Sequence, residues 1–304
     1  MTVVVLAIDA IDHALVDHFD LDSLCLETNG EIKTFNYSQD VPYTPEVWTT
    51  VATGLPIEDH DVKDAGTSEW SNPILEFASK FTGHLSENTR YRLGQLVTTH
   101  TDEDWGFGET DMETMFSESG RYLHNWPGID NTDVDAVHGL YNQVIDGSLM
   151  DSEFDATVYS IAAQEFEWLE ERLRSRDRVE FNPTLLGFHT HILDAAGHIY
   201  ADDEEKLREF YQWTAQRVEA IRDLLNDDDD LLLLGDHGME VAFLNDKTPG
   251  QHSWRPHVAS TTDSIPADVV DVRNWVESRI KDISNRGKQL DLPEDQLREL
   301  GYIS

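Results

Sequence analysis

The chain holds a single cysteine among its 304 residues. With Cys25 alone, an internal disulfide and a cysteine-built metal cluster are both excluded. Basic residues are scarce too: 22 Lys and Arg stand against 60 Asp and Glu, for a formal charge of −38 and a pI near 4.4. Such a field repels polyanions, so neither a nucleic-acid-binding surface nor an anionic membrane partner is expected. Long hydrophobic runs are also missing. The apolar stretch Val3–Ile8 stops at Asp9, far short of a membrane span, and no basic segment precedes it as in a signal peptide. A cytoplasmic protein is the expectation.

High net charge with few apolar residues can mark a disordered chain. Here the acid is spread along the sequence, between strongly periodic apolar segments, which predicts a folded protein with an acidic skin. Such a skin stays hydrated in concentrated salt, where its self-repulsion is screened to within a few ångströms. The composition therefore points to a salt-loving, archaeal type of source.

Val3–Ile8 is continuously apolar and rich in β-branched residues, as in a central strand buried on both faces of a parallel sheet. Asp9 follows at its carboxyl end, where open α/β sheets place their ligands. A second such run, Leu231–Leu234, leads into Gly235-Asp236-His237-Gly238. The aspartates before it, Asp227 to Asp230, read as a solvated turn. Apolar spacings of three and four predict a helix from Asp151 or Ser152 to Arg174, a second over about Asp202 to Asn226, and a third over roughly Asp268 to Ser284. Strands followed by helices predict an α/β fold, a central, mostly parallel sheet flanked by helices. Between about 65 and 150 the periodicity is weak, and loop or small cap insertions are expected there.

The chemistry-bearing residues lie in separate short segments. Asp9 closes the opening strand. Thr44-Pro45-Glu46 can open a helix, whose first N–H groups and positive dipole end suit a phosphate. Asp194-Ala195-Ala196-Gly197-His198 puts an aspartate and a histidine on one face of a helical turn. Asp236-His237-Gly238-Met239 is followed by Gly250-Gln251-His252. Mixed carboxylate and imidazole donors suit zinc, manganese or iron better than magnesium or calcium. Two cations sharing such a set could serve in-line displacement at phosphorus. They would also supply the positive charge that this acidic chain needs to hold an anionic ester.

In order and spacing these segments resemble the alkaline phosphatase superfamily, and within it the type I phosphodiesterase/nucleotide pyrophosphatase branch. There an aspartate ends the first strand, and a threonine upstream of a Thr-Gly pair is the nucleophile, as Thr44 stands before Thr53-Gly54. Asp-x-x-Gly-His, Asp-His-Gly-Met and Gly-x-His segments follow, matched by Asp194–His198, Asp236–Met239 and Gly250–His252. The resemblance implies one alkaline phosphatase-like α/β domain over residues 1–304, with a cap or loop insertion within about 65–150. It implies two divalent metal ions, Zn2+ with Mn2+ as the alternative. One would be held by Asp194, His198 and His252, the other by Asp9, Asp236 and His237 with the Thr44 oxygen. The implied substrate is a small-molecule phosphate ester, cleaved through a phosphothreonine with net retention at phosphorus.

The match has departures. The asparagine that donates to a phosphate oxygen in nucleotide pyrophosphatases is absent from Lys63-Asp64-Ala65-Gly66. Lys63, Lys247, Arg255 and His257 are candidates for that task. The usual His-Gly is His60-Asp61. His84, His124, His138, His189 and His191 read as structural hydrogen-bonding groups, with His191 the exception to watch because it lies near Asp194. Trp48, Trp126 and Trp254 read as packing. Cys25 lacks the Cys/Ser-x-Pro-x-Arg setting of a sulfatase. Two alternatives stay open: phosphomonoester hydrolysis on the same metals, and a metal-binding interaction module without catalysis.

Overall fold

Every side chain of β1 (Val3–Ile8) is buried, and alternate residues enter different cores. Val4, Leu6 and Ile8 pack with Phe154, Phe166 and Phe210, whereas Val3, Val5 and Ala7 pack with Val47, Trp48 and Val272. The period-two alternation of a strand thus serves two apolar layers at once, which is why no polar residue interrupts the run. The computed structural model describes residues 1–60, 62, 109–130, 140, 143–144, 148–176 and 182–284.

After β1 come α1 (His13–His18), α2 (Asp22–Cys25), β2 (Thr28–Glu31), α3 (Thr44–Thr53), α4 (Ile57–His60) and β3 (Arg121–His124). The long helix α5 (Asp151–Ser175) precedes β4 (Leu185–Thr190), α6 (Ile192–Tyr200), α7 (Glu204–Arg222) and β5 (Asp230–Leu234). Then follow β6 (Gly238–Met239), β7 (His252–Ser253), β8 (His257–Ser260) and α8 (Val272–Ser284). Among the described residues six strands form one sheet in the order β2-β8-β5-β1-β4-β3, and β6 pairs with β7 apart from it. Strands β5, β1, β4 and β3 run parallel; β8 is antiparallel to β5, and β2 to β8. Helices α5, α6 and α7 cover one face, and α3 with α8 covers the other. This is the expected α/β architecture.

Register decides where the site falls. Val3 stands opposite both Leu185 and Asp230, so Ile8 meets Thr190 and Ala7 meets Leu234. The carboxyl ends of β1, β4 and β5 therefore finish level. Whatever follows them, namely Asp9, His191 and Asp236, emerges along one edge of the sheet.

Some expectations are refined. The helix foreseen from Asp268 begins as a 3-10 turn, Val269–Asp271, capped by Asp268, whose side chain accepts from Val270 N. Asp229, in the acidic turn, accepts from Thr2 N at 2.7 Å and Asn226 N at 2.8 Å and pairs with Arg176 at 2.5 Å. That aspartate is a structural tie. Most of the stretch 65–150 lies outside the described residues, but Arg121–His124 within it is an edge strand of the central sheet. Lys63, His84 and His138 also lie outside them.

One buried histidine makes acid stability predictable. His257 is fully buried; its Nε2–H donates to Leu24 O at 2.9 Å, so its Nδ1 accepts from His13 at 3.0 Å. Burial, opposed by the hydrogen bond to Leu24 O and by Asp17 and reinforced by His13, pushes the His257 imidazole down to about 4. The unfolded chain takes up this proton first, so stability falls as pH drops from the ordinary histidine range toward 4. The loss reaches about 3 kcal/mol, from roughly 1.4 kcal/mol per pKa unit. Denaturant unfolding of the wild type and His257→Gln across pH 4 to 7 checks this. The variant should show the shallower slope.

Candidate active site

Thr44 is the first residue of helix α3, and Gly54 ends that helix in the left-handed conformation at φ 64°. Thr53-Gly54 is thus a helix stop. The Thr44 hydroxyl reaches the sheet edge, with Oγ1 3.2 Å from His237 Nε2 and 3.5 Å from Asp9 Oδ1. Asp9 Oδ1 lies 3.1 Å from His237 Nε2, which is 3.5 Å from Asp236 Oδ2. On helix α6, Asp194 and His198 face each other one turn apart, at 3.2 Å. His252 Nε2 is 3.6 Å from Asp194 Oδ1 and 3.3 Å from His198 Nε2, and its ring stacks on His237 at 3.6 Å. Asp9, Thr44, Asp194, His198, Asp236, His237 and His252 are therefore one constellation, gathered from remote parts of the chain.

The histidines share a feature that sequence alone does not reveal. Nδ1 of His198 donates to Gly250 O at 2.8 Å, that of His252 to Pro42 O at 2.8 Å, and that of His237 to Gly238 O at 3.0 Å. A carbonyl can only accept, so Nδ1 carries a proton in each, and the neutral form of the ring presents its lone pair on Nε2. Metal-ligating imidazoles are oriented in this way.

His189, read from the sequence as structural, and His191, the exception noted there, both face Asp9. His191 Nδ1 donates to Asp9 Oδ2 at 2.8 Å, and His189 Nε2 stands 3.4 Å from the same oxygen. The available signal was their spacing. Two residues apart at a strand's end, they point the same way.

Burial and charge set the protonation. Burial raises the Asp9 carboxyl, but hydrogen bonds from His189, His191 and His237 outweigh it and hold the group well below the usual carboxylate range. Burial, reinforced by the Asp9 charge, pushes Asp236 well above that range. Burial also drives His252 down to about 3, with the neighbouring His237 adding to the effect. Against its own burial, His237 is raised to about 10 by the charge of Asp236 and its bond to Asp9. Three buried carboxylates converging in a chain of net charge −38 create a strong demand for cations.

Groupings able to hold a metal ion are Asp9 with Asp236 and His237, Asp194 with His237 and His252, and Asp9 with His189 and His191. Asp236 Oδ2 is fully buried and accepts no hydrogen bond among the described residues. An orphaned carboxylate oxygen beside presented imidazole lone pairs fits a divalent cation, and the nitrogen and oxygen donors suit zinc or manganese.

Other expectations find different places. Arg255 is committed to Asp12 and Asp246, and both His257 nitrogens are bonded within the core. Neither is available for a phosphate oxygen. Lys247 is exposed. His60 is buried and bonds Thr50 Oγ1 at 2.9 Å. Trp126 donates to Trp48 O at 3.0 Å inside the core, while Trp254 is 49 % exposed and is not packing.

A carboxylate–imidazole cluster able to hold metal ions lies at the carboxyl ends of the parallel strands, where open α/β sheets place their ligands. The chain matches the family described as type I phosphodiesterase / nucleotide pyrophosphatase over residues 34–291. It belongs to that family, within the alkaline phosphatase superfamily, and is a phosphoric ester hydrolase acting on small-molecule phosphate esters. Asp9 precedes the matched range, yet register brings it into the cluster. A search of curated proteins found no match to the chain. No helix among the described residues is long and apolar enough to cross a membrane.

Proposed function

We propose that the chain hydrolyses phosphodiester or pyrophosphate bonds through a phosphothreonine formed on Thr44. The observation that carries this reading is the contact of Thr44 Oγ1 with both Asp9 Oδ1 and His237 Nε2, which joins a hydroxyl to the cluster. Asp9, Asp236 and His237, with the Thr44 oxygen, would hold one divalent cation; Asp194, His198 and His252 would hold the other. When bound, the pair supplies positive charge to the phosphoryl oxygens and lowers the pKa of the attacking oxygen.

The chain's own groups do the rest. Asp9 Oδ1 accepts from the Thr44 hydroxyl and so aligns it. Thr44 gives up its hydroxyl proton to solvent and its Oγ attacks phosphorus in line; a P–O bond to Thr44 forms, and the bond to the leaving alcohol or phosphate breaks, its oxygen departing with the bonding electron pair and taking a proton from solvent as its basicity requires. Water then attacks from the side the leaving group vacated, breaking the Thr44–phosphorus bond and restoring the hydroxyl. Each step inverts, so the net outcome is retention. The start of helix α3 lies beside this path and favours negative charge there.

The test is hydrolysis of bis-p-nitrophenyl phosphate and p-nitrophenyl phosphate in molar salt, before and after chelation. Diester turnover should vanish with chelator, return with zinc or manganese, and exceed monoester turnover. A metal-loaded protein inactive on both esters would reject the enzymatic reading. A faster monoester would move the specificity to phosphomonoesters.

A further inference from the structure

Asp12 follows Asp9 by three residues and is fully buried, yet the chemistry above makes no use of it. Its Oδ1 accepts from Ala14 N at 2.8 Å and Leu15 N at 3.3 Å, which caps helix α1. A cap needs no more than this. The second oxygen does something else: Oδ2 accepts from Met239 N at 3.0 Å and from Ser253 Oγ at 2.7 Å. Arg255 Nε lies against both oxygens, at 3.2 and 3.1 Å. The Asp12 N–H donates to the Tyr211 hydroxyl at 3.0 Å, which donates in turn to Ala10 O at 3.3 Å.

These bonds join three segments that carry proposed ligands. Ala10 and Asp12 belong to the turn after Asp9, Met239 lies two residues beyond His237, and Ser253 directly follows His252. Arg255 extends the tie, donating to Met239 O at 3.1 Å and to the two Asp246 oxygens at 3.1 and 2.8 Å. The fit is close enough to dictate a residue. A Cβ on Gly238 would stand 2.2 Å from Asp12 Oδ2 and 2.5 Å from Ser253 Oγ. The glycine of Asp-His-Gly-Met is therefore required by the Asp12 carboxylate pressed against it.

We propose that Asp12, held by Arg255, is a positioning residue that sets the spacing between the Asp9–Asp236–His237 ligand group and His252 of the other group. The inference rests on the ligand sets proposed above. It deepens them by naming what fixes the distance between the two cations. Asp12 touches none of the proposed ligand side chains; it acts through backbone and through Ser253. Groups that orient ligands from behind typically change metal affinity tenfold to a hundredfold when lost.

Asp12→Asn in the full chain tests this. The amide keeps the shape and can still cap helix α1, but its NH2 must face the N–H of Met239 or the guanidinium of Arg255. With Mn2+ as the probe, the second ion should bind about 10–100-fold more weakly. The spin-coupled resonance of a manganese pair should weaken or shift, a signature that mere loss of stability does not move. Arg255→Gln should behave alike, and the double variant should be no worse than the poorer single one, because the two side chains form one unit. Asp246→Asn, which removes only the outer partner of Arg255, should have a smaller effect. Hydrogen exchange supplies a readout independent of metal, with faster exchange in Asp12→Asn confined to residues 10–15 and 237–255. Unchanged affinity and coupling with both ions bound would overturn the proposal, as would exchange that rises uniformly or not at all. Should the wild type bind no Mn2+ pair, the proposed mechanism fails, while the exchange pattern still decides the clamp.

Discussion

Thr44→Ala should lower diester turnover by roughly a thousandfold or more, about 4 kcal/mol of barrier, while leaving the cation content unchanged. The ligands do not depend on the Thr44 hydroxyl for their orientation. Asp9 is held by His191, His237 by the carbonyl of Gly238, and Asp236 by the N–H of Ala10 at 3.4 Å. Alanine is also a strong helix former, so the start of helix α3 survives the change. Rate and metal binding therefore separate in this variant, whereas Asp9→Asn should lose both. Thr44→Ser keeps the nucleophile but loses the methyl group that restricts its rotamer, and partial activity is expected. Metal analysis beside steady-state kinetics checks all three. An alanine variant as fast as wild type would mean that water attacks phosphorus directly. A chiral phosphate ester would then show inversion in place of retention.

Legibility in the sequence followed the physics of each element. Strands β1 and β5 were plain because burial on both faces demands an unbroken apolar run, and helices α5 and α7 because their exposed faces alternate with apolar ones. Strand β4 carries no such pattern. Its Leu185-Leu186-Gly187-Phe188-His189-Thr190 mixes apolar residues with a glycine and a histidine. The glycine is there because a Cβ would meet the Phe116 ring at 2.6 Å. Hiding β4 also hid the part played by His189 and His191, since only a strand assignment places both beside Asp9. The ligand candidates were legible because each sits in a compact segment of distinctive donors. The role of Arg255 is hidden for the opposite reason. A basic residue close to His252 suggests a phosphate partner, and only the fold reveals that the buried carboxylate of Asp12 claims it.

Thermal stability should climb with salt, by roughly 10 °C or more between 0.1 and 2 M KCl. We propose this as the consequence of a halophilic origin. Lys and Arg number 22 against 60 acidic residues, and many of the bases are already engaged. Lys33 pairs with Asp268, Arg121 with Glu277, Lys206 with Asp155, Arg222 with Glu27, and Arg255 with Asp12 and Asp246. The surplus acid, such as Glu205, Glu219 and Asp223 on and beside helix α7, lies exposed, with no cation left to meet it at most positions. At 0.1 M salt the screening length is about 10 Å, so neighbouring carboxylates repel across the surface; at 1 M it is about 3 Å and the repulsion is largely gone. For a domain of this size, 1 kcal/mol shifts Tm by roughly 2–4 °C, so the expected rise corresponds to several kcal/mol of relieved repulsion. Two controls identify the cause. Screening should saturate near molar KCl, whereas strengthened apolar burial should keep growing and should favour sulfate over chloride. Glu205→Lys with Glu219→Lys should move the unfolding curve toward that of wild type in higher salt, without touching the core or the site. A stability maximum at low salt, or a salt response unaltered by those two substitutions, would remove self-repulsion as the explanation for the acidic surface.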